Sequence, residues 1–362
     1  MEFVLSEMID QVMTARASHR PLYIRGGGTK QFYGEPSVTP ANGGVLDMSA
    51  YTGVVNYEPS ELVVTARAGT PLAEIEELLA ANRQMLAFEP PRFGPASTIG
   101  GCVASGLSGP RRMAAGALGG FVLGARLLDA NGTELRFGGE VMKNVAGYDI
   151  SRLLAGSMGI FGALTEVSLK VAPIPLAEET RVLNLTEAEA LRLFNTWRNQ
   201  PLPVSASAWE AEGDTGVLRV RLSGSSPALR SAAKIVGGDR MDDAQAAAYW
   251  DSLRDQTHPF FAARPLWRLS LPPTTPVLGL GNMLIEWNGG LRWLGGNELE
   301  PDFVRMAASR HGGHATLYRY DGEPTVPVFH PVSAGVQAIS QRLKQELDPS
   351  GMFNPGRLFR DF

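Results

Sequence analysis

Between Thr98 and Arg112 the chain reads Thr-Ile-Gly-Gly-Cys-Val-Ala-Ser-Gly-Leu-Ser-Gly-Pro-Arg-Arg, with small residues at nearly every second place. A plain surface loop would be more polar. A plain core helix would avoid these glycines, each of which costs up to about 1 kcal/mol against alanine. Glycine and alanine interleaved with Thr and Ser hydroxyls suit a wall against which a large flat ligand lies. Close packing of a helix on a sheet is the competing reading. The contacts expected from this wall are Thr98, Ile99, Gly100, Gly101, Val103, Ala104, Gly106, Ser108 and Gly109.

A second glycine-rich stretch, Arg25-Gly26-Gly27-Gly28-Thr29-Lys30, follows the short apolar run Leu22-Tyr23-Ile24. Without Cβ atoms, successive amides can approach and converge on a phosphate. Thr29 adds a hydroxyl and Lys30 a charge. Taken alone, the commoner reading is a flexible turn. The spacing is not that of a P-loop, and no regular βαβ unit with a ribose-binding acid follows. A third cluster runs from Lys143-Asn144 through Gly156, Gly159 and Gly162.

The elements between these motifs predict an α+β chain. Ser6 is placed as the cap of a first helix reaching about Ser18. Leu62 to Ala68 alternates and is β-branched, as a strand does. Gly69 turns the chain, Thr70 is placed as N-cap, and Pro71 as the first residue of a helix to Asn82. Asn131-Gly132 predicts a two-residue hairpin turn joining Phe121–Ala130 to Thr133–Phe137. After the strand Leu164–Val171, Pro173-Ile174-Pro175 marks a boundary. Beyond it, Thr186 and Glu189 form a capping box, Val217–Leu222 reads as a strand, and Ser226-Pro227 opens a helix. Met283–Trp287 and Leu291–Leu294 make a hairpin, and Ala315–Tyr320 a last strand. A final helix, about Ser333 to Leu347, leads into Asp348-Pro349-Ser350-Gly351-Met352-Phe353-Asn354-Pro355-Gly356-Arg357. The expected division is a ligand-binding domain over 1–175, a cap over 176–327 and a returning segment over 328–362.

Composition narrows the function classes. Lys+Arg 33 against Asp+Glu 37 gives a net charge of −4, and no basic stripe argues for nucleic acid. One cysteine, Cys102, is too few for a disulfide, a four-cysteine iron–sulfur cluster or a cysteine-rich zinc site. The N-terminus has no basic region ahead of an apolar run, and no apolar stretch reaches the roughly 18 residues of a membrane helix. The expectation is a cytoplasmic protein that meets a membrane only through a partner.

The order of RGGGTK, TIGG-VASG-SGPRR, VLG, KNVAGYD, GSMGIFGALTEV and NPGR resembles FAD-linked oxidases of the vanillyl-alcohol-oxidase/p-cresol-methylhydroxylase type. Within that superfamily it is most similar to the FAD-binding E-subunit family of bacterial glycolate oxidase. The resemblance implies a two-part FAD-binding domain followed by a mixed α/β cap, with the C-terminal tail returning to the first domain. It implies that Gly26 to Lys30 cradle the FAD pyrophosphate, with Arg25 among the expected cofactor contacts, that Thr98 to Gly109 line the dinucleotide and flavin, and that the stretch Gly156 to Gly162, through Gly156, Gly159 and Gly162, closes over the adenosine half. Gly69, Pro90, Lys143, Asn144 and Asn354 join the expected cofactor contacts. The function implied is oxidation of glycolate or D-lactate to the 2-oxo acid with the flavin as hydride acceptor. The partners implied are a larger FAD-bearing catalytic subunit and an iron–sulfur subunit.

Departures from the family pattern qualify this. Thr29 stands where many relatives carry a flavin-linking histidine, so the FAD is expected to be non-covalent. Gly119-Gly120 replaces a charged pair. The cap lacks the HxGDGNxH-like string of catalytic relatives. His314 and Arg319 are the remaining candidates for base and carboxylate clamp, although core or interface roles fit them as well. His311-Gly312-Gly313-His314 lacks a carboxylate to complete a metal set, so no metal is expected. A self-sufficient flavoenzyme and an assembly subunit without turnover of its own stay open as alternatives.

Overall fold

The computed structural model describes residues 2–36, 43–139, 149–212, 215–296 and 299–362. Lys143 and Asn144 lie outside this set. The chain folds as mixed α/β. Its first part holds a small unit in which Leu22–Arg25 pairs in parallel with Gly44–Asp47. The helix Glu2–Ala17 buries Met8, Val12 and Ala15 against Leu22 and Leu46. It starts before Ser6 because Val4 and Leu5 also pack on this cluster, so the first turn is helical where the sequence predicts a cap.

The larger unit is a five-stranded antiparallel sheet in the order Val54–Glu58, Val63–Arg67, Ala163–Lys170, Val122–Leu128, Glu134–Gly138. Val64, Ala66, Leu127, Val167 and Leu169 from the sheet meet Leu72, Ile75 and Leu79 of the helix Leu72–Ala81 and Ile99 and Val103 of the helix Ile99–Ser105. Each Val, Leu and Ile side chain among them contributes roughly 1.5–3 kcal/mol on burial. Pro71 occupies the cap position itself, and Thr70 donates instead to the Arg67 carbonyl and accepts from the Gly53 amide. The Asn131-Gly132 turn is longer than a two-residue hairpin. Asp129 Oδ1 accepts from both Asn131 and Thr133 amides, which closes a five-residue connection between Leu128 and Glu134.

The second part is built on an eight-stranded antiparallel sheet. The Thr186–Glu189 capping box is present, and Ser225 caps the helix Ser226–Val236. The strands Ala177–Asn184, Val204–Glu212, Asp239–Arg240 and Leu266–Ser270 and the helices Asp243–Arg254 and Pro301–Arg310 add to the elements foreseen. Alternation along each strand sorts the side chains between two faces. Trp267, Leu269, Ala315 and Leu317 enter a core with the helices Glu187–Arg198 and Pro301–Arg310. Leu266, Leu291, Trp293 and Tyr318 face Tyr33, Leu107 and Met158 of the first part.

The C-terminal helix Ala334–Leu347, capped by Ser333, returns the chain to the first part. The Leu22 amide donates to the Met352 carbonyl at 2.8 Å and the Asn354 amide to the Leu22 carbonyl at 3.1 Å. Buried Lys344 donates to the carbonyls of Ile160 and Phe353 and to Asp348 Oδ2, at 2.6, 2.8 and 2.7 Å. Burial lowers the Lys344 pKa, against the pull of Asp348.

Candidate functional site

The loop Arg25–Gln31 and the helix Ile99–Ser105 form the two walls of a cleft, and Met158, Asn354 and Arg357 close its end. The cleft continues past Gly100, Gly159 and Gly162 toward Met48, Ala68 and Leu164. The walls are close because glycine lets them be. A Cβ on Gly27 would sit 1.5 Å from the Ala96 carbonyl oxygen, and one on Gly100 would sit 2.5 Å from the Ala68 Cβ. A Cβ on Gly101 meets only Thr98 Oγ1, at 3.2 Å, and otherwise faces open space. The small-residue wall therefore does both things weighed above. Some glycines set packing, and Gly101 leaves room.

The donors on this cleft fit a pyrophosphate. Among the described residues, the amides of Gly26, Gly27, Gly28, Thr29 and Lys30 find no protein acceptor. Successive free amides make an anion-binding concavity. Lys30 Nζ reaches Ser97 Oγ at 2.6 Å and lies 5.6 Å from the Phe93 ring, with no ion-pair partner among the described residues. Burial lowers its pKa, so a nearby phosphate would stabilise the ammonium. Thr98 Oγ1 accepts from the Gly101 amide and caps the helix. Asn354, in a left-handed conformation, accepts from the Ile24 amide at 2.8 Å and donates to the Met158 carbonyl at 2.6 Å. Arg357 spends its guanidinium on the carbonyls of Gln31, Tyr33 and Glu35, which fixes the loop after Lys30. Arg25 lines the cleft too, with its guanidinium paired to Asp47 at 2.7 Å.

Other expected contacts lie elsewhere. Ile99 and Val103 are buried in the core beneath the cleft. Gly69 packs its backbone on Met48 and Tyr51. Gly106, left-handed, packs on Gly156. Pro90 is buried. Ser108 Oγ accepts from the Leu118 amide, and the Gly109 carbonyl accepts from Trp287 Nε1 at 3.0 Å, which joins the cap to the first part. Cys102 is buried, and burial pushes its thiol up to about 12.

Next to this junction Glu89 bridges Arg111 and Arg221 at 3.2 and 2.8 Å, and Arg111 reaches Glu178 at 2.6 Å. Burial alone would raise Glu89, but the two guanidiniums hold it below the usual carboxylate range.

The two cap candidates separate. Arg319 hydrogen-bonds Gln256 at 3.1 Å and lies 4.3 Å from the Phe32 ring. His314 lines a second cavity of about 670 Å³ between the cap sheet and the C-terminal segment, with Arg268, Thr316 and Tyr33. Burial, and then the charges of Arg268, His330 and Arg112, hold His314 below its ordinary value and so neutral at pH 7. Among the described residues no cluster of His, Cys, Asp and Glu could hold a metal ion.

The model of an FAD binding domain matches residues 5–138. The glycolate oxidase subunit GlcE of Escherichia coli K12 is 43% identical over 357 residues, 98% of this chain and 97% of that one. The chain belongs to the GlcE family of glycolate oxidase subunits. Its cofactor is FAD. The first half is also similar to the glycolate oxidase subunit GlcD of Bacillus subtilis, 32% identical over 48% of this chain and 37% of that one. A D-lactate dehydrogenase of Archaeoglobus fulgidus is 28% identical over 42% of this chain and 33% of that one. In architecture it is similar to the solved structure of an alkyldihydroxyacetonephosphate synthase, with a TM-score of 0.67 at 16% identity, over 98% of this chain and 76% of that one.

Gln31 and Arg357 line the cleft without being expected there, and Ser105 and Met158 do so from within stretches whose other members are the named contacts. The run Asn-Pro-Gly-Arg carries Arg357, and its neighbour Asn354 was the clue. Arg268 has no motif around it. Its signal is the alternation of Leu266-Trp267-Arg268-Leu269-Ser270, which places a charge on a strand between apolar neighbours.

Proposed function

We propose that this chain is the FAD-binding subunit of a glycolate oxidase or dehydrogenase, which oxidises glycolate, or D-lactate, to the 2-oxo acid. The observation that carries the reading is the end-to-end match at 43% identity to a protein of that name. The cleft supports it with free amides at Gly26–Lys30, the Lys30 ammonium and the open face at Gly101. When bound, FAD supplies the acceptor for the hydride leaving the α-carbon. The chain's own part is to hold the dinucleotide, to exclude water by the tight cap junction at Glu89 and Gly109, and to present a neutral imidazole at His314.

The FAD is proposed to be dissociable, since Thr29 offers no nucleophilic ring nitrogen. Acid precipitation is then expected to release FAD into the supernatant, and colour retained in the pellet would refute this. The chain is further proposed to work with a larger FAD-bearing subunit and an iron–sulfur subunit, because one cysteine cannot bind a cluster. The deciding experiment purifies the chain alone and with the two subunits, then follows flavin bleaching and acceptor reduction on adding glycolate. Turnover is expected only in the assembly. Robust turnover by the isolated chain would overturn the dependence on partners, and no turnover in either would overturn the activity.

A further inference from the structure

The cavity between the cap sheet and the C-terminal segment carries an arrangement that the FAD cleft does not use. It is lined by Arg268, His314 and Thr316 from the sheet, by Tyr33 from the first part, and by Phe329 and His330 from the connection before the last helix. Period-2 alternation puts Arg268 and Thr316 on the same face as Leu266 and Tyr318, the one turned toward the first part. A guanidinium carries five N–H donors. Among the described residues, the Arg268 guanidinium makes no hydrogen bond and no ion pair, while its backbone pairs with both neighbouring strands. Its contacts are cationic stacking on Trp287 at 5.2 Å and on Trp293 at 5.9 Å. Arg112 stacks on the same Trp287 ring at 4.4 Å and has no side-chain hydrogen bond or ion pair either. Two guanidiniums therefore share one indole next to a large cavity, and among the described residues neither makes an ion pair, although the charge of Arg268 reaches the buried Glu286 carboxyl.

The carboxylates nearby are committed elsewhere. Glu35 accepts from the Val328 and Phe329 amides and pairs with Arg360 at 2.8 Å. Asp361 also lines the cavity and accepts from Gln337. Glu286 is buried and accepts from Trp293 Nε1 at 2.7 Å. Arg319, by contrast, does not line this cavity; one terminal nitrogen donates to Gln256, and its guanidinium stacks on Phe32.

We propose that Arg268 is the carboxylate clamp of this chain, holding a small hydroxy acid in the second cavity with Thr316 beside it and His314 facing the hydroxyl. The proposal rests on the reading of the chain as a subunit that meets a small hydroxy acid, and it replaces Arg319 in that role. A planar guanidinium grips a carboxylate through two parallel hydrogen bonds, which a lysine cannot reproduce. Stacking on Trp287 and Trp293, with Tyr33 and Phe329 on the cavity wall, keeps the guanidinium in a partly apolar setting, where a charge-assisted pair is stronger than in water.

The probe is oxalate, a carboxylate with no hydrogen to lose, titrated into the FAD-loaded protein by calorimetry. Wild type is expected to bind one oxalate per chain. Arg268→Met is expected to weaken binding on the order of tenfold or more, as loss of a charged hydrogen-bond pair does, at unchanged FAD content. Arg319→Met is expected to stay within about twofold of wild type, since Arg319 does not line the cavity and cannot form the paired hydrogen bonds of the clamp. Arg268→Lys keeps the charge and loses the fork, so it is expected to fall between the two and serves where the methionine variant does not fold. Oxalate affinity in Arg268→Lys and Arg268→Met equal to wild type, or no binding by wild type, would overturn the clamp. Arg268-dependent oxalate binding without any glycolate-driven bleaching, in the chain or its assembly, would leave the clamp standing and remove the oxidase reading instead.

Discussion

At the scale of single residues, two side chains show how environment sets chemistry. Gly101 sits where a Cβ faces the cleft, with only Thr98 Oγ1 within reach. Gly101→Val places a branched side chain in that space. FAD content is expected to collapse while the apo-protein melts within a few degrees of wild type, because the cost falls on ligand approach. Equal loss of stability in the apo form would show that the glycine serves packing. Gly100 and Gly27 differ, since any side chain there meets backbone or a neighbouring Cβ, and their variants are expected to fail to fold. Glu286 is the second case. Burial pushes its carboxyl up to about 7, against the hydrogen bond from Trp293 and the charge of Arg268. The folded protein therefore holds its proton more tightly than the unfolded chain, whose value is near 4.5. Stability is fullest below that lower value and falls as pH rises toward 7. A shift of this size is worth on the order of 3 kcal/mol. Urea melts at pH 5 and pH 8 are expected to show the loss in wild type and a smaller one in Glu286→Gln.

At the scale of elements, the C-terminal helix is tied to the first part by one buried cation. Lys344 joins Ile160, Phe353 and Asp348, so it connects the helix, the glycine turns after Gly156 and the tail that delivers Asn354. Removing one partner of a buried pair leaves the other charged and unsolvated. Lys344→Met is expected to cost about 3–5 kcal/mol in urea unfolding. It is also expected to weaken FAD retention, because Asn354 lies on the cleft. Asp348→Asn is expected to cost less, since the two carbonyls still satisfy the ammonium. A Lys344→Met protein as stable as wild type would show that the tail is held by apolar packing of Leu347, Met352 and Phe353 alone.

At the scale of the whole molecule, the cap is docked by polar contacts as well as by aromatic ones. Glu89 faces Arg111 from its own part and Arg221 from the cap, and Trp287 reaches across to the Gly109 carbonyl. Two guanidiniums without their carboxylate repel in a buried site. Glu89→Ala is therefore expected to loosen the cap and to expose the connection bearing Leu176, which is 78% exposed even in the docked state. Limited proteolysis with thermolysin reads this as faster appearance of two fragments. Unchanged fragment kinetics would assign docking to the aromatic cluster of Tyr33, Trp287, Trp293 and Tyr318. The proposed clamp lies at this same junction, so the mobility of the cap and the affinity for oxalate are expected to change together.

The sequence by itself determined the local pieces. The Thr186–Glu189 capping box, the strands rich in Val and Leu, and the glycine runs are fixed by neighbours within a few residues, and these elements formed where expected. The order of the motifs was enough to identify the FAD-binding superfamily and the returning tail. What the chain could not state in one dimension was decided by packing. The helix at Glu2 began early because Val4 and Leu5 found a cluster completed by Phe353, far along the chain. The glycines of the Thr98–Gly109 wall divided between packing and cleft according to what lay opposite each missing Cβ. Arg319 and Arg268 are both cap arginines in sequence. Only the tertiary structure gave one of them a Gln256 partner and left the other stacked between tryptophans with its donors free. A charge's role depends on which groups reach it across the fold, and that distance is not written in the spacing along the chain.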